Sequence, residues 1–317
     1  MRVDRRQLGK SKIFISPLVL GGNVFGWTVD EPTSFTLLDA FVGAGFNCID
    51  TADVYSNWKP GNKGGESETI IGRWLKRTGN RDKVIIATKI GYQMGPGSSG
   101  LSKRHILSGV DESLARLQTD YIDLYQSHFD DPDIPLEQTL DAYGALISMG
   151  KVRAIGASNY TVDRLLKALQ VSAQEGLPSY QSLQPLYNLY DRAEFEAELE
   201  PLCLQRGLGV IPYYSLAAGF LTGKYRTEAD LSKSIRSSRA KKYMTERGFR
   251  ILNALDQVGQ QLNATPGNVA LAWLLARPSV TAPIASASNL NQLNDLIAAT
   301  GLVLERAQIE FLNQEST

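Results

Sequence analysis

Short apolar runs alternate with amphipathic stretches along almost the whole chain. That is the pattern of repeated βα units feeding a parallel sheet. The apolar runs predict eight strands, at residues 18–20, 47–50, 84–89, 122–128, 152–158, 181–184, 209–213 and 280–284. Between them, apolar positions at helical spacing predict helices over 33–44, 66–76, 103–116, 136–149, 162–174, 194–205 and 268–275. Ser102, Thr161 and Thr265 suit N-caps, and Pro135 and Pro266 suit early helical positions. Gly45, Gly150 and Gly207 stand where a helix should stop. Two stretches depart from the repeat. Residues 3–16 alternate around Gly9-Lys10, which predicts a hairpin capping the barrel bottom. Residues 222–250 are basic and rich in Ser and Lys, and as a long loop after strand seven they should lie over the functional face. The expected architecture is α/β, a (β/α)8 barrel spanning residues 1–317 as one domain.

Composition narrows the function classes. At 317 residues the chain exceeds the usual domain size, but α/β barrels reach this length as one unit. Lys plus Arg balance Asp plus Glu at 33 each, so no global field favours nucleic acid or an anionic membrane. Cys48 and Cys203 lie in apolar segments and offer neither a disulfide framework nor a metal spacing. A reducing cytosol is the expected compartment. The start lacks the apolar stretch of a signal peptide, and no run approaches the ~18 apolar residues of a membrane span. A soluble, cytoplasmic protein acting on a small molecule is expected, with oligomeric state left open.

Three predicted strands end on residues that move or steer protons. Asp50, Lys89 and His128 follow one another at intervals of 39 residues, about the length of one strand-helix unit. Tyr55 lies in the loop just past Asp50. Such distant residues meet only if the strands are parallel and their carboxyl ends converge. A phenol titrates near ~10 and needs help to donate a proton at neutral pH. Lys89 is expected to lower the Tyr55 pKa, Asp50 to fix Lys89, and His128 to orient a carbonyl or share the proton. The set suits proton transfer to a carbonyl oxygen paired with hydride delivery to its carbon. Each residue alone would more often be a cap, an ion-pair partner or packing; the joint occurrence argues for chemistry.

Later strand ends supply what a hydride carrier needs. Ser158, Asn159 and Gln184 match a carboxamide, and Tyr214 offers a stacking face. Ser215, Leu216 and the run on to Gly223 and Lys224 form a candidate pyrophosphate cradle. Ser286, Ser288, Asn289 and Gln292 lead into a short amphipathic helix whose N-terminus favours phosphate. Val24, Trp27, Trp58, Tyr92 and Phe129 are candidate substrate-pocket residues.

These stretches resemble the aldo-keto reductases. The resemblance rests on Phe46-Asn-Cys-Ile-Asp50-Thr-Ala-Asp-Val-Tyr55, Gly65-Glu-Ser-Glu-Thr-Ile-Ile-Gly72, Ala87-Thr-Lys89, Asp120-Tyr-Ile-Asp-Leu-Tyr-Gln-Ser-His128 and Gly150-Lys-Val-Arg-Ala-Ile-Gly-Ala-Ser-Asn159. Gln184-Pro-Leu-Tyr-Asn-Leu and the stretch from Tyr214 to Tyr225 extend it. The Gly-Lys-Tyr loop is more similar to the bacterial branch that also resembles potassium-channel β subunits. The resemblance implies a barrel binding extended NADPH without a Rossmann fold. It places the tetrad on Asp50, Tyr55, Lys89 and His128, and the nicotinamide contacts on Ser158, Asn159, Gln184 and Tyr214. Consistent with it, Gly21-Gly22-Asn-Val-Phe-Gly26 has the wrong spacing for a dinucleotide fingerprint, and Gly22 and Asn23 are expected to face the nicotinamide ribose.

Two departures stand out. Leu216 replaces the proline usual after the Tyr-Ser of strand seven. Residues 285–289 carry no Arg or Lys where relatives answer the 2′-phosphate of NADPH. NADH is therefore expected to compete, unless Arg236 or Arg239 compensates. The basic run 236–242 is expected to be a solvated loop or a cofactor clamp, and His105 a surface residue. The rival reading is a nicotinamide-nucleotide-binding, redox-sensing regulatory subunit with slow or no turnover.

Overall fold

The computed structural model describes residues 3–95, 99–233 and 237–317. Two short antiparallel strands, β1 (Arg6–Gln7) and β2 (Phe14–Ile15), open the chain. The barrel strands follow: β3 (Val19–Gly21), β4 (Cys48–Asp50), β5 (Ile85–Ile90), β6 (Ile122–Ser127), β7 (Val152–Ser158), β8 (Ser182–Gln184), β9 (Gly209–Val210) and β10 (Ile284–Ala285). They form one parallel sheet in the order β10-β3-β4-β5-β6-β7-β8-β9. The ring closes where Thr281 N donates to Val210 O at 2.8 Å and Ile284 N to Pro212 O at 2.9 Å. This is the expected (β/α)8 fold.

Helices alternate with the strands: α1 (Glu31–Gly43), α2 (Glu66–Thr78), α3 (Lys103–Leu117), α4 (Leu136–Ser148), α5 (Val162–Glu175), α6 (Glu200–Arg206), α7 (Ser237–Ala240), α8 (Glu246–Leu262), α9 (Pro266–Leu275), α10 (Leu290–Ala299) and α11 (Arg306–Glu315). Side chains of Ser102, Thr161 and Thr265 cap α3, α5 and α9 by accepting from backbone N–H groups. None of the helices described is long and apolar enough to cross a membrane.

The hairpin packs as expected. Leu8, Ile13 and Ile15 are buried against Val19, Cys48, Ala87, Leu124, Ala154, Ile211, Ala282 and Ile284, one apolar cluster inside the amino end of the barrel. Burying such side chains contributes about 1.5–3 kcal/mol each. With that end plugged, the opening for chemistry is the carboxyl end.

Four expectations are corrected. The last strand pairs with β3 through Ile284–Ala285 rather than along 280–284, because Pro283 has no N–H for the ladder. Residues 222–250 are not one loop: α7 and short 3-10 turns interrupt them, and Thr245 caps α8 before the stretch ends. His105 is buried within α3, not on the surface, and burial lowers its pKa. Val24 is fully buried in the main hydrophobic core, away from the cleft.

One glycine positions the site from behind. A Cβ on Gly72 would stand 2.1 Å from Arg116 O, so only glycine lets α2 lie this close to α3. That approach lets Glu68 accept from Arg116 Nε at 2.7 Å and from Thr88 Oγ1 at 2.5 Å, directly under β5.

Candidate active site

Parallel register brings the proton-handling residues together. Asp50 of β4 pairs with Ala87 of β5, two residues before Lys89, and Lys89 pairs with Gln126 of β6, two before His128. Lys89 is completely buried, and its ammonium spends all three donors. They go to Asp50 Oδ2 at 2.7 Å, Thr51 O at 2.8 Å and Tyr55 Oη at 2.9 Å. The loop carrying Tyr55 is pinned by Ser56, which has φ 76° and donates from Oγ to Phe25 O at 2.6 Å. The Tyr55 ring lies 5.8 Å from Trp58 and 5.9 Å from His128, centroid to centroid.

The electrostatics follow from burial. Desolvation, then the Asp50 charge, holds the Tyr55 phenol well above its ordinary pKa. The expected lowering by Lys89 is therefore corrected: Asp50 answers the ammonium, so the phenol sees a nearly neutral pair and burial dominates. Desolvation also lowers Lys89. His128 is pushed well below its usual range by burial and by Lys89, so it is neutral near pH 7. Its Nδ1 is buried with no partner among the described residues. Behind the set, burial and Glu68 raise the Asp53 carboxyl to about 8.

A cleft of about 1010 Å³ opens above these groups. Asp50, Tyr55 and His128 line it, and so do eleven of the expected cofactor residues: Asn23, Ser158, Asn159, Gln184, Tyr214, Ser215, Leu216, Lys224, Ser286, Ser288 and Gln292. Gly22, Gly223 and Asn289 do not. Gly22 N donates to Asp50 O at 2.7 Å, Gly223 turns the chain with φ 78°, and Asn289 caps α10. Of the expected substrate-pocket residues, Trp58 and Tyr92 line the cleft. Trp27 stands behind Trp58 at 5.6 Å and Phe129 behind Tyr92 at 5.0 Å.

Gln184 and Asn159 already have partners inside the protein. Gln184 Nε2 donates to Asp50 Oδ1 at 2.9 Å, and Asn159 Nδ2 donates to His128 O at 2.9 Å. Tyr213, which sequence reasoning did not select, lines the cleft and donates from Oη to Asn159 Oδ1 at 2.8 Å. Its place beside Tyr214 at the end of the seventh strand was the available signal. Thr265, Asn268 and Asp295 line the far end of the cleft and had no such signal.

A family model described as the Aldo/keto reductase family matches residues 17–315. An uncharacterized oxidoreductase, YrpG of Bacillus subtilis, is 34% identical over 314 residues, covering 96% of this chain and 94% of its own. Aldo-keto reductase YhdN of the same organism is 32% identical, covering 96% and 89%. A putative voltage-gated potassium channel subunit beta from Schizosaccharomyces pombe is 33% identical, covering 95% and 89%.

Proposed function

This chain belongs to the aldo/keto reductase family, and from that premise we propose that it is an NAD(P)H-dependent oxidoreductase. It reduces an aldehyde or ketone to an alcohol, or runs the reverse. The observation that carries this reading is the Tyr55 phenol, 2.9 Å from a buried Lys89 ammonium, on the wall of a deep cleft.

The residues fit a nicotinamide dinucleotide. Tyr55, Ser158, Asn159, Tyr214, Lys224, Arg239, Ser286 and Gln292 all line the cleft, and together they offer a stacking ring, hydrogen-bonding groups and two cations. When bound, the reduced nicotinamide supplies hydride to the carbonyl carbon. Tyr55 gives its phenolic proton to the carbonyl oxygen, and Lys89 steadies the phenolate left behind. Asp50 keeps Lys89 charged and aimed. His128, neutral, donates a hydrogen bond to the carbonyl oxygen without surrendering its proton.

The adenosine end favours neither phosphate form strongly. Ser286 and Ser288 can hydrogen-bond a 2′-phosphate but cannot balance its charge, and Asp295 on the same wall repels it. Arg239 lines the same cleft, beside Trp27, Trp58 and Tyr214. Arg236 lies outside the described residues. NADPH is usable, and NADH competes with it.

Steady-state oxidation of both cofactors with a panel of aldehydes tests the proposal, and many turnovers per enzyme are expected. Tight cofactor binding without turnover on any carbonyl would instead favour a redox-sensing subunit, the reading that the channel-subunit relative brings into play.

A further inference from the structure

Ser67 and Glu68 lie in the first turn of α2, and both are fully buried. Neither side chain caps the helix. The N-cap is Gly65, at φ 85°, and Glu66 accepts from the backbone N–H groups of Lys63 and Gly64. The Ser67 hydroxyl is left for other elements. It donates to Gly22 O at 2.8 Å and accepts from Thr51 Oγ1 at 2.8 Å. The direction is fixed, because a carbonyl can only accept and a hydroxyl has a single hydrogen to give. A Cβ on Gly22 would stand 2.9 Å from Ser67 Oγ and 3.1 Å from Asp50 O, so glycine there allows the approach.

Thr51 follows Asp50 in the chain, and its carbonyl accepts from the Lys89 ammonium at 2.8 Å. Its backbone N–H donates to Ala87 O at 2.8 Å, on the strand that carries Lys89. On that strand Glu68 accepts from Thr88, the residue just before Lys89. Adjacent residues of one helical turn thus hold the backbone on both sides of the Asp50–Lys89 pair. The Thr51 and Ser67 side chains are fully buried, so a hydroxyl that loses its partner must move to find another. Movement of Thr51 displaces the carbonyl that holds Lys89.

We propose that Ser67 is a positioning residue for Lys89, acting through Thr51. This rests on the carbonyl-reductase reading above. The Ser67 hydroxyl keeps the Thr51 carbonyl on the ammonium, and so keeps the ammonium in place 2.9 Å from the Tyr55 phenol. Hydrogen bonds to the charged form keep a buried ammonium protonated, here against the desolvation that lowers Lys89. The other charged or titratable groups facing Lys89 are Asp50 on β4, Asp53 and Tyr55 in the loop after it, Glu68 on α2 and His128 after β6. Substitutions at Ser67 and Thr51 replace none of them.

Ser67→Ala and Thr51→Val each break the link, whereas Thr51→Ser keeps its hydroxyl. Each breaking substitution should lower kcat by roughly tenfold, with aldehyde and cofactor KM near wild type. The double variant should be no slower than either single one, since both act through one contact. Thr51→Ser should run close to wild type. Normal kcat in both breaking variants, or losses that multiply in the double variant, overturns the proposal. So does a raised cofactor KM with kcat intact, which would assign Ser67 to the cofactor through Gly22. If the wild-type protein reduces no carbonyl, the reductase reading itself fails, and the resting enzyme still decides on Ser67. NMR of protein carrying isotope-labelled lysine, with the Lys89 signal assigned through Lys89→Met, follows the ammonium through its titration. Lys89 should lose its proton roughly one pH unit lower in Ser67→Ala and Thr51→Val than in the wild type or Thr51→Ser. A titration that neither breaking substitution moves overturns the proposal, whatever the melting temperatures do. Should Ser67→Ala not fold, Thr51→Val carries the same tests, because it leaves Ser67 donating to Gly22 O and no buried donor unpaired.

Discussion

Gln184 reaches from β8 to β4 and donates from Nε2 to Asp50 Oδ1 at 2.9 Å, while Lys89 holds Asp50 Oδ2 at 2.7 Å. Both oxygens of the buried carboxylate are answered, with Gln126 adding a longer contact at 3.5 Å. The amide that the sequence assigned to the cofactor therefore also fixes the ion pair behind the Tyr55 phenol.

Replacing that amide separates the two roles. In Gln184→Leu, Asp50 loses its close partner on Oδ1, and a hydrogen bond to a charged group is worth about 1.5–3 kcal/mol. Thermal stability should fall, and kcat should fall by roughly tenfold as Lys89 loses its fixed counter-ion. Calorimetry and steady-state kinetics check this. A raised cofactor KM with normal kcat and stability would mean that Gln184 acts through the nicotinamide alone.

Tyr55→Phe keeps the ring between Trp58 and His128 and removes only the hydroxyl. Turnover should drop by about 10²–10⁴, the usual contribution of a positioned proton donor. Cofactor binding, followed by fluorescence titration, should stay close to wild type. Near-normal reduction rates in this variant would reject Tyr55 as the donor.

Asp53 makes stability depend on pH. Burial and Glu68 raise its carboxyl to about 8, whereas an unfolded aspartate titrates near ~3.9. Between those values the folded protein holds a proton that the unfolded chain has released. The resulting stabilisation is complete at low pH and is lost as pH rises through about 8, at up to about 1.4 kcal/mol per pH unit. Asp53→Asn has no such proton and keeps the oxygen that accepts from Val54 N at 2.6 Å. Its melting temperature relative to wild type should therefore rise between about pH 5 and about pH 9. A constant difference across that range would show that Asp53 is ionised throughout.

The barrel was legible because its signals are local. Apolar runs mark the strands, and Ser102, Thr161 and Thr265 cap helices through contacts three residues away. Residues decided by packing were not legible. The α11 helix buries only Leu312, too little for an apolar stripe, and relies on a capping box between Glu305 and Gln308. The start of α8 was hidden in a Ser- and Lys-rich stretch where Thr245 acts as cap. At the site, the strand ends identified which groups share the mouth of the barrel. They did not show that Asp50 would neutralise Lys89 as seen from Tyr55, or that Val24 would turn inward, since both depend on neighbours distant in sequence.

Cofactor choice should respond to substitution at one exposed position. Ser288 lies on the rim of the cleft, and its backbone N–H donates to Gln292 Oε1 at 2.8 Å, on the same wall as Asp295. A 2′-phosphate there meets hydroxyls and a carboxylate but no cation, so kcat/KM for NADPH and NADH should agree within about tenfold. Ser288→Arg adds the missing charge with a fork suited to phosphate and should move the ratio at least about tenfold toward NADPH. Asp295→Asn should move it the same way by a smaller factor, because it removes repulsion without adding attraction. Steady-state kinetics with both cofactors measure each shift. A wild-type protein that strongly prefers NADPH, and that neither substitution alters, would mean the phosphate is answered by a cation outside this wall.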